Sequence, residues 1–233
     1  ERLNKILEID ELSLLCVVEP NVITGDIQDA VEKVGLFYPP DPASLRQSAI
    51  GGNVAECAGG PRAFKYGVTK AWVLGLEAVL PTGEIIRTGG KVVKNVVGYD
   101  LTHLLVGSEG TLAIITKIIL RLVPKPPVQV TMRASFPSVR HAANAVTNLI
   151  RARVVPAALE LIDGDCLEAV AQALKVRSLA PEGTAAMLML EVDGSAVEGG
   201  EARWEFTELP ARPMVDLALD PRARVIHEAH EVA

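Results

Sequence analysis

Residues 49–60 read AIGGNVAECAGG, with two glycine pairs on either side of a short run of small residues. The pattern predicts that the first pair, with Asn53, precedes a helical turn and that the second pair follows it. A glycine before a helix leaves backbone N–H groups open to a phosphate, and the helix dipole adds to the attraction. A diphosphate can be held in this way without lysine or arginine. The alternative is that these glycines only form tight turns.

Two common phosphate-binding patterns are missing from the sequence. No G-x-G-x-x-G follows a predicted strand and no G-x-x-x-x-G-K-[ST] occurs, so neither a Rossmann site nor a P-loop is predicted. Residues 107–110 read GSEG and do not satisfy G-x-S-x-G, so Ser108 is predicted to be a turn residue rather than a nucleophile. Backbone N–H groups at this turn offer a second place for a phosphate or a base to bind.

The composition is that of a folded, mildly acidic chain. The 233 residues are 49% hydrophobic and 22% charged, and 23 Lys+Arg against 29 Asp+Glu give a net charge of −6. A disordered chain would be poorer in apolar residues, and this length can bury one large core or two small ones. The acidic balance argues against nucleic acid as a partner, since phosphate backbones bind basic surfaces.

The sequence contains few patterns that would indicate a cellular compartment, a transmembrane segment or a metal site. Three scattered cysteines argue against a disulfide scaffold and favour the reducing cytoplasm. No stretch approaches the roughly 20 apolar residues that cross a bilayer, and no export leader is visible, so we expect no transmembrane segment. His227 and His230 are three positions apart rather than the four of HExxH, so we expect no metal site.

The first half of the chain mixes strands and helices. Residues 13–19 form a predicted buried strand, and Thr24 and Asp26 are predicted to cap a helix that buries Ile27 and Val31. The β-branched run 111–123 predicts a central strand. Further predicted elements are strands at 72–80 and 84–88 and a short helix at 100–106 capped by Asp100.

The second half has a different order of elements. Residues 124–127 read PKPP and are predicted to be a linker. Beyond it, three predicted strands alternate with two predicted helices. The strands are at 129–136, 157–162 and 187–192. This order favours a split βαβ sandwich with antiparallel partners, and the chain as a whole is predicted to be α+β. Residues 194–233 are left unassigned.

Several stretches together carry a family resemblance. They are Pro40–Asp41–Pro42, IGGNVAE at 50–56, AGG at 58–60, KYG at 65–67, KNVVGYDL at 94–101 and VGSEGTL at 106–112. In this order they resemble the FAD-linked oxidases of the vanillyl-alcohol oxidase type, most closely the group of glycolate oxidase subunit GlcD and D-lactate dehydrogenase. The resemblance extends over roughly residues 1–193.

The resemblance implies both a fold and a cofactor. It implies an FAD-binding domain at 1–124, with its first subdomain largely missing, and the start of a ferredoxin-like α+β cap domain at 128–193. Ala49, Cys57 and Ala113 stand where the family favours Thr or Ser, Asn, and Gly. The FAD contacts that it implies are Asp41, Gly51, Gly52, Asn53, Gly59, Tyr66, Gly67, Gly110, Ile114 and Ile115.

The resemblance also implies an activity and partners. Family members oxidise a D-2-hydroxy acid such as glycolate or D-lactate by hydride transfer to FAD. Their upstream glycine-rich loop and their downstream histidine segment have no counterpart here. We therefore expect a partial chain, inactive and weakly FAD-binding alone, with unknown catalytic residues. Its expected partners are a small 2-hydroxy acid and other glycolate oxidase subunits, including an iron–sulfur subunit, and those subunits would provide any membrane association. The alternative is a non-catalytic FAD-fold interaction subunit of a glycolate oxidase complex.

A cluster of cations leaves two interpretations open. Arg87, Lys91 and Lys94 lie close in sequence to Asn95 and Tyr99. They form either a solvated turn or an electropositive wall that faces an acidic substrate or a reduced cofactor.

Overall fold

The computed structural model describes residues 2–194 and the backbone of residues 224–227. Expectations for His230 and for most of the segment 194–233 therefore lie outside the described residues. The chain divides into two compact units, Glu1–Lys125 and Pro126–Ala233. Each unit is described by itself.

Unit 1 is built on an antiparallel sheet of five strands, in the order β1-β2-β6-β4-β5. The β6 strand lies at its centre, as the β-branched composition of 111–123 predicted. A separate short pair joins β3 and β7. The strands are β1 Ile6–Asp10, β2 Leu15–Val18, β3 Leu36–Phe37, β4 Val73–Val79, β5 Ile85–Gly89, β6 Ile114–Arg121 and β7 Val123–Pro124.

Short helices connect these strands. They are α1 Thr24–Glu32, α2 Ile50–Glu56, α3 Ala63–Tyr66, a 3-10 turn at Thr69–Trp72, and α4 Leu101–Leu105. Asp100 caps α4 as predicted, since its carboxylate accepts the N–H of His103 at 3.0 Å. The predicted cap of α1 was wrong. Its N-cap residue is Ile23, which makes no side-chain cap bond, and Thr24 is buried inside the first turn.

The predicted position of the first glycine pair was also wrong, by one turn. Gly51 and Gly52 lie inside the first turn of α2 rather than before it. Ala49 is extended and bridges Ile23, which sets the start of the helix. The first helical N–H groups then find acceptors outside the helix: Ile50 donates to the Val22 carbonyl at 2.8 Å.

The core of unit 1 lies between the sheet and its helices. Fully buried side chains come from β2, α1, α2 and β6, and the loop residue Tyr38 is buried with them. Because Tyr38 precedes two prolines, the loop is held extended while its aromatic ring fills the core. The largest fully buried members are Tyr38, Leu15, Ile27, Ile50, Ile118, Leu120 and Leu122.

Unit 2 contains an antiparallel sheet in the order β11-β8-β10-β9. Since β10 lies between β8 and β9, the two strands that α5 connects are not neighbours, which agrees with the predicted antiparallel partners. Phe136 and Leu188 form its core with the buried face of α5. The elements are β8 Val128–Phe136, α5 Val139–Arg151, β9 Ala158–Asp163, α6 Gly164–Leu174, β10 Ala186–Gly194 and β11 Arg224–His227.

Candidate functional site

Two segments that the sequence singled out lie side by side in unit 1. The N–H of Gly107 donates to the carbonyl of Val54 at 2.9 Å, and the N–H of Glu109 donates to the carbonyl of Ala55 at 2.9 Å. Both carbonyls belong to the last turn of α2, where the usual i+4 donors run out, although Val54 also accepts the N–H of Cys57 at 3.3 Å. The GSEG turn at 107–110 therefore completes the C-terminal end of α2. Ser108 lies in this turn, as predicted.

Two glycines of this arrangement face open space. A Cβ built on Gly52 or on Gly110 would meet no atom within 4 Å. Among the described residues, neither glycine has an acceptor for its backbone N–H. Gly110 has φ +72°, which side-chain-bearing residues rarely adopt. These two amides are accessible to a ligand.

Other glycines of the AIGGNVAECAGG stretch are explained by packing within the protein. A Cβ on Gly51 would lie 2.6 Å from the Cβ of Pro20, and one on Gly60 would lie 2.3 Å from the carbonyl oxygen of Asp41. Gly51 also donates its N–H to the Pro20 carbonyl at 2.7 Å. Close approach to Pro20 and to Asp41 thus accounts for Gly51 and Gly60, rather than a tight turn, while Gly52 stays open.

Asn53 is buried and bonded inside the protein. Its side-chain amide donates to Thr24 Oγ1 at 2.6 Å, and it is only 5% exposed. Thr24 in turn donates to the Ser48 carbonyl at 3.3 Å. The side chain of Asn53 therefore ties α2 to α1, which is a supporting position.

Asp41 fixes the proline-rich loop. Its carboxylate accepts the N–H of Arg62 at 3.2 Å and lies 3.5 Å from the guanidinium Nε of the same residue. That guanidinium lies over the ring of Phe37, 5.1 Å from its centroid. These contacts attach the loop to the start of α3.

Tyr66 and its neighbours close the same corner of unit 1. The Tyr66 ring meets Phe37 edge-on at 5.9 Å, and Trp72 Nε1 donates to the Tyr66 carbonyl at 2.8 Å. Gly67 has φ +76° and ends α3. A Cβ on Gly59 would lie 3.3 Å from a methyl of Val68. These positions shape the backbone that follows α2.

Ile114 and Ile115 begin β6 and differ in exposure. Ile114 is 70% exposed, whereas Ile115 is partly buried against the core. The pairing of β6 with β4 shifts register between Glu77 and Ala78, next to these residues. Ile114 therefore presents an apolar side chain to solvent just beyond the GSEG turn.

The structure also holds a polar contact that the sequence did not signal. Thr102 Oγ1 donates to Thr88 Oγ1 at 2.9 Å, and both threonines are buried. The bond attaches α4 to β5, so the helix that leads into the GSEG turn is anchored on the sheet. Isolated threonines on two short elements give no pattern from which this contact could be found.

The cation cluster is largely paired with carboxylates. Arg87 Nη2 lies 2.8 Å from the Glu77 carboxylate, and Lys91 forms an ion pair with Glu8. A cleft of about 370 Å³ lies beside them, lined by residues 73–74, 87–89 and 92–103 except Lys94. The two ion pairs favour the solvated-turn interpretation over an electropositive wall.

The chain agrees with two family models. Residues 1–89 match the FAD binding domain, and residues 125–223 match the C-terminal domain of FAD linked oxidases. The chain belongs to the FAD-linked oxidases. FAD is the cofactor for which the first of these domains is named.

Two curated relatives of this FAD-linked oxidase agree with the match. This chain is 50% identical over 194 residues to glycolate oxidase subunit GlcD of Bacillus subtilis (strain 168), and the match covers 83% of this chain and 41% of that protein. It is 40% identical over 184 residues to D-lactate dehydrogenase of Archaeoglobus fulgidus, covering 79% of this chain and 41% of that protein. The chain thus spans about two fifths of these relatives.

A solved structure supports the fold alone. An alkyldihydroxyacetonephosphate synthase aligns with this FAD-linked oxidase at a TM-score of 0.77 and 21% identity. The alignment covers 98% of this chain and 42% of the synthase.

The surface around α2 has the chemistry that FAD requires. The FAD diphosphate is an anion that backbone N–H groups bind well, and Gly52 and Gly110 leave such groups open without a side chain in the way. Exposed Ile114 offers an apolar surface for a flat ring. The residues of this FAD-linked oxidase therefore fit the cofactor of its family.

Membrane-spanning helices and metal-ligand clusters are both absent from residues 2–194 and 224–227 of this FAD-linked oxidase. No helix there has the length and apolar character needed to span a bilayer. No group of three or more His, Cys, Asp or Glu side chains there is arranged to hold a metal ion. The three cysteines, Cys16, Cys57 and Cys166, are free.

Proposed function

We propose that this chain forms part of the FAD seat of an oxidoreductase that oxidises a D-2-hydroxy acid such as glycolate or D-lactate. The observation that carries the proposal is the pair of backbone hydrogen bonds from Gly107 and Glu109 to the last turn of α2. They join the two segments that the family resemblance assigns to FAD. The substrate class is supported by relatives named for glycolate and for D-lactate.

Within the proposed seat, direct and supporting positions can be separated by their contacts. We assign direct contact with FAD to Gly52, Gly110 and Ile114, because these positions are exposed and unobstructed. We assign supporting roles to the remaining expected positions, because protein atoms already surround them. These are Asp41, Gly51, Asn53, Gly59, Tyr66, Gly67 and Ile115.

The chemistry of the proposed reaction divides between cofactor and protein. FAD, when bound, supplies the acceptor for the hydride that leaves the hydroxy-acid carbon. The residues of this chain hold the backbone still: the Asn53–Thr24 bond and the Thr102–Thr88 bond fix α2 and α4 against their neighbours. Rigid open amides bind an anion without first having to be ordered. We assign no catalytic residue within this chain.

The test compares FAD binding by the purified protein with binding by Gly52→Ala. A methyl at this position fills open space, so the variant should fold while the diphosphate loses its closest approach. We expect weak binding by the protein and an affinity about tenfold lower for the variant, the loss of roughly one good hydrogen bond. The measurement is titration with FAD followed by quenching of flavin fluorescence.

Gly164→Ala is the matched control. Gly164 is also a helical glycine, and a Cβ there would make an ordinary contact of 3.4 Å with Ala185. This variant should bind FAD like the unchanged protein. Equal affinities for all three proteins would remove Gly52 from the seat. No FAD binding at millimolar concentration would contradict the FAD proposal itself.

A second candidate function is a non-catalytic interaction subunit of a glycolate oxidase complex. The observation that favours it is a run of exposed apolar side chains along residues 92–99. Val97 is 86% exposed and Tyr99 is 96% exposed. Such a surface is typical of a protein interface. Co-expression with the other subunits of a glycolate oxidase tests it: Val97→Ser with Tyr99→Ser should abolish co-purification if this surface is the interface.

A further inference from the structure

The imidazole of His103 joins helix α4 to the neighbouring 3-10 turn. Its Nδ1 lies 2.6 Å from the carboxylate Oδ2 of Asp100, and its Nε2 lies 2.9 Å from the backbone carbonyl oxygen of Lys70. Asp100 is the N-cap residue of α4, and Lys70 belongs to the 3-10 turn at Thr69–Trp72. One ring therefore contacts two separate elements.

The hydrogen-bonding role required of each ring nitrogen follows from its partner. A carbonyl oxygen accepts hydrogen bonds and cannot donate, so Nε2 must carry a proton to make its bond. An ionised carboxylate likewise only accepts, so Nδ1 must carry a proton as well. Both bonds exist together only when His103 is an imidazolium.

The charged groups around the ring are consistent with this state. The pKa of the Asp100 carboxyl is held below its usual range, chiefly by the backbone N–H of His103 and then by its side chain. Lys70 contributes a positive charge from the 3-10 turn. Arg87 lines the same cleft from β5, and its guanidinium is paired with Glu77. Tyr99 is the other titratable group of that lining.

We propose that His103 is a pH-dependent clasp, which holds α4 to the 3-10 turn as an imidazolium and loosens it when the ring loses a proton. The loss leaves one ring nitrogen as an acceptor that faces another acceptor, so one bond becomes a repulsion. Histidine is the side chain that ordinarily changes charge between pH 5 and 8. The clasp should therefore be closed at low pH and should weaken as the pH rises.

The consequence reaches the GSEG turn. Helix α4 leads directly into residues 107–110, whose N–H groups complete the end of α2. The bond between Thr102 and Thr88 does not titrate and keeps α4 attached at every pH. The clasp thus changes the stability of the α4 end without unfolding unit 1, and it does not depend on FAD.

The experiment measures amide hydrogen exchange of residues 101–106 at pH 5.5 and pH 8.5, corrected for the intrinsic pH dependence of exchange. Protection should fall about two- to fivefold at the higher pH, the scale expected for a partly exposed ion pair. His103→Gln keeps a neutral donor and should abolish this change. His141→Gln, in unit 2, is the control and should leave it intact.

Asp100→Asn provides a sharper test, since it should reverse the sign. The amide of asparagine keeps an oxygen for the α4 cap and offers an N–H to Nδ1, so the neutral ring becomes the preferred partner. Protection should then rise with pH. Nitrogen-15 NMR of the ring in the unchanged protein must show both nitrogens protonated at pH 5.5. A neutral ring at that pH, or an unchanged pH dependence in His103→Gln, would overturn the proposal.

Discussion

Asn53 in α2 donates a side-chain hydrogen bond of 2.6 Å to Thr24 Oγ1 in α1, and both residues are buried. This side-chain contact links the glycine-rich helix to its neighbour. Because the Thr24 hydroxyl donates its own hydrogen bond to the Ser48 carbonyl at 3.3 Å, the three residues form a short chain of hydrogen bonds. These hydrogen bonds fix the position of α2 within unit 1 without the help of a bound ligand.

Asn53→Ala should destabilise the protein by about 1–3 kcal/mol, since it leaves a buried hydroxyl without its donor. Urea unfolding followed by circular dichroism measures the change. Asn144→Ala, at an exposed position of α5, is the control and should stay within about 0.5 kcal/mol of the unchanged protein. Equal effects of the two substitutions would mean that the Asn53 bond adds no stability.

The adjacent glycines of α2 should respond in opposite ways to alanine. Gly51→Ala places a Cβ 2.6 Å from Pro20 and should cost about 1–3 kcal/mol through overpacking. Gly52→Ala enters open space and should stabilise α2 by up to about 1 kcal/mol, the helix-propensity difference. Thermal melting of both variants checks the contrast. A stable Gly51→Ala would show that Pro20 moves away at little cost.

The sequence anticipated elements better than it anticipated contacts. The β-branched run at 111–123 and the Asp100 cap were predicted because each depends on a local pattern. The start of α2 was misplaced because it depends on hydrogen bonds to Pro20 and Val22, which are distant in sequence. The Thr102–Thr88 bond could not be predicted for the same reason.

In the candidate site, too, local sequence patterns predict segments better than they predict contacts. The family resemblance pointed to the two segments of the candidate site, but glycines with the same sequence signal have different surroundings. Gly51 is closed by a proline and Gly52 is open, and no local rule separates neighbours of one type. Which amides face solvent is decided by packing between elements that are far apart in the chain.

Cys57 occupies a backbone conformation that suits asparagine better than cysteine. It follows α2 with φ +54°, in the left-handed region that few side chains tolerate. Asparagine is common at this helix-end position. Cys57→Asn should therefore stabilise the protein by about 0.5–1 kcal/mol, measured by urea unfolding. Cys166→Asn, on the exposed first turn of α6, is the control and should not stabilise it.

Glu77 should give unit 1 an acid-sensitive stability. Its side chain is only 15% exposed and lies between Arg87 and Lys117 on the neighbouring strands. The pKa of its carboxyl is lowered by hydrogen bonds from Arg87 first and Lys117 second. A carboxyl whose pKa is lowered by folding stabilises the fold at pH values above its pKa in the unfolded chain, which is about 4.3 for glutamate. That contribution is lost as the pH falls through the pKa of the carboxyl in the folded protein.

Glu77→Gln removes this contribution at every pH. The unchanged protein should therefore have a higher melting temperature than the variant at pH 6. The gap between the two melting temperatures should narrow steadily between about pH 5 and pH 3. Thermal unfolding at several pH values measures the gap. Glu11→Gln, at an exposed turn, is the control and should show a much smaller pH-dependent gap. A gap for Glu77→Gln that stays constant down to pH 3 would show that the two cations do not act on this carboxylate, because a protonated Glu77 can no longer attract them.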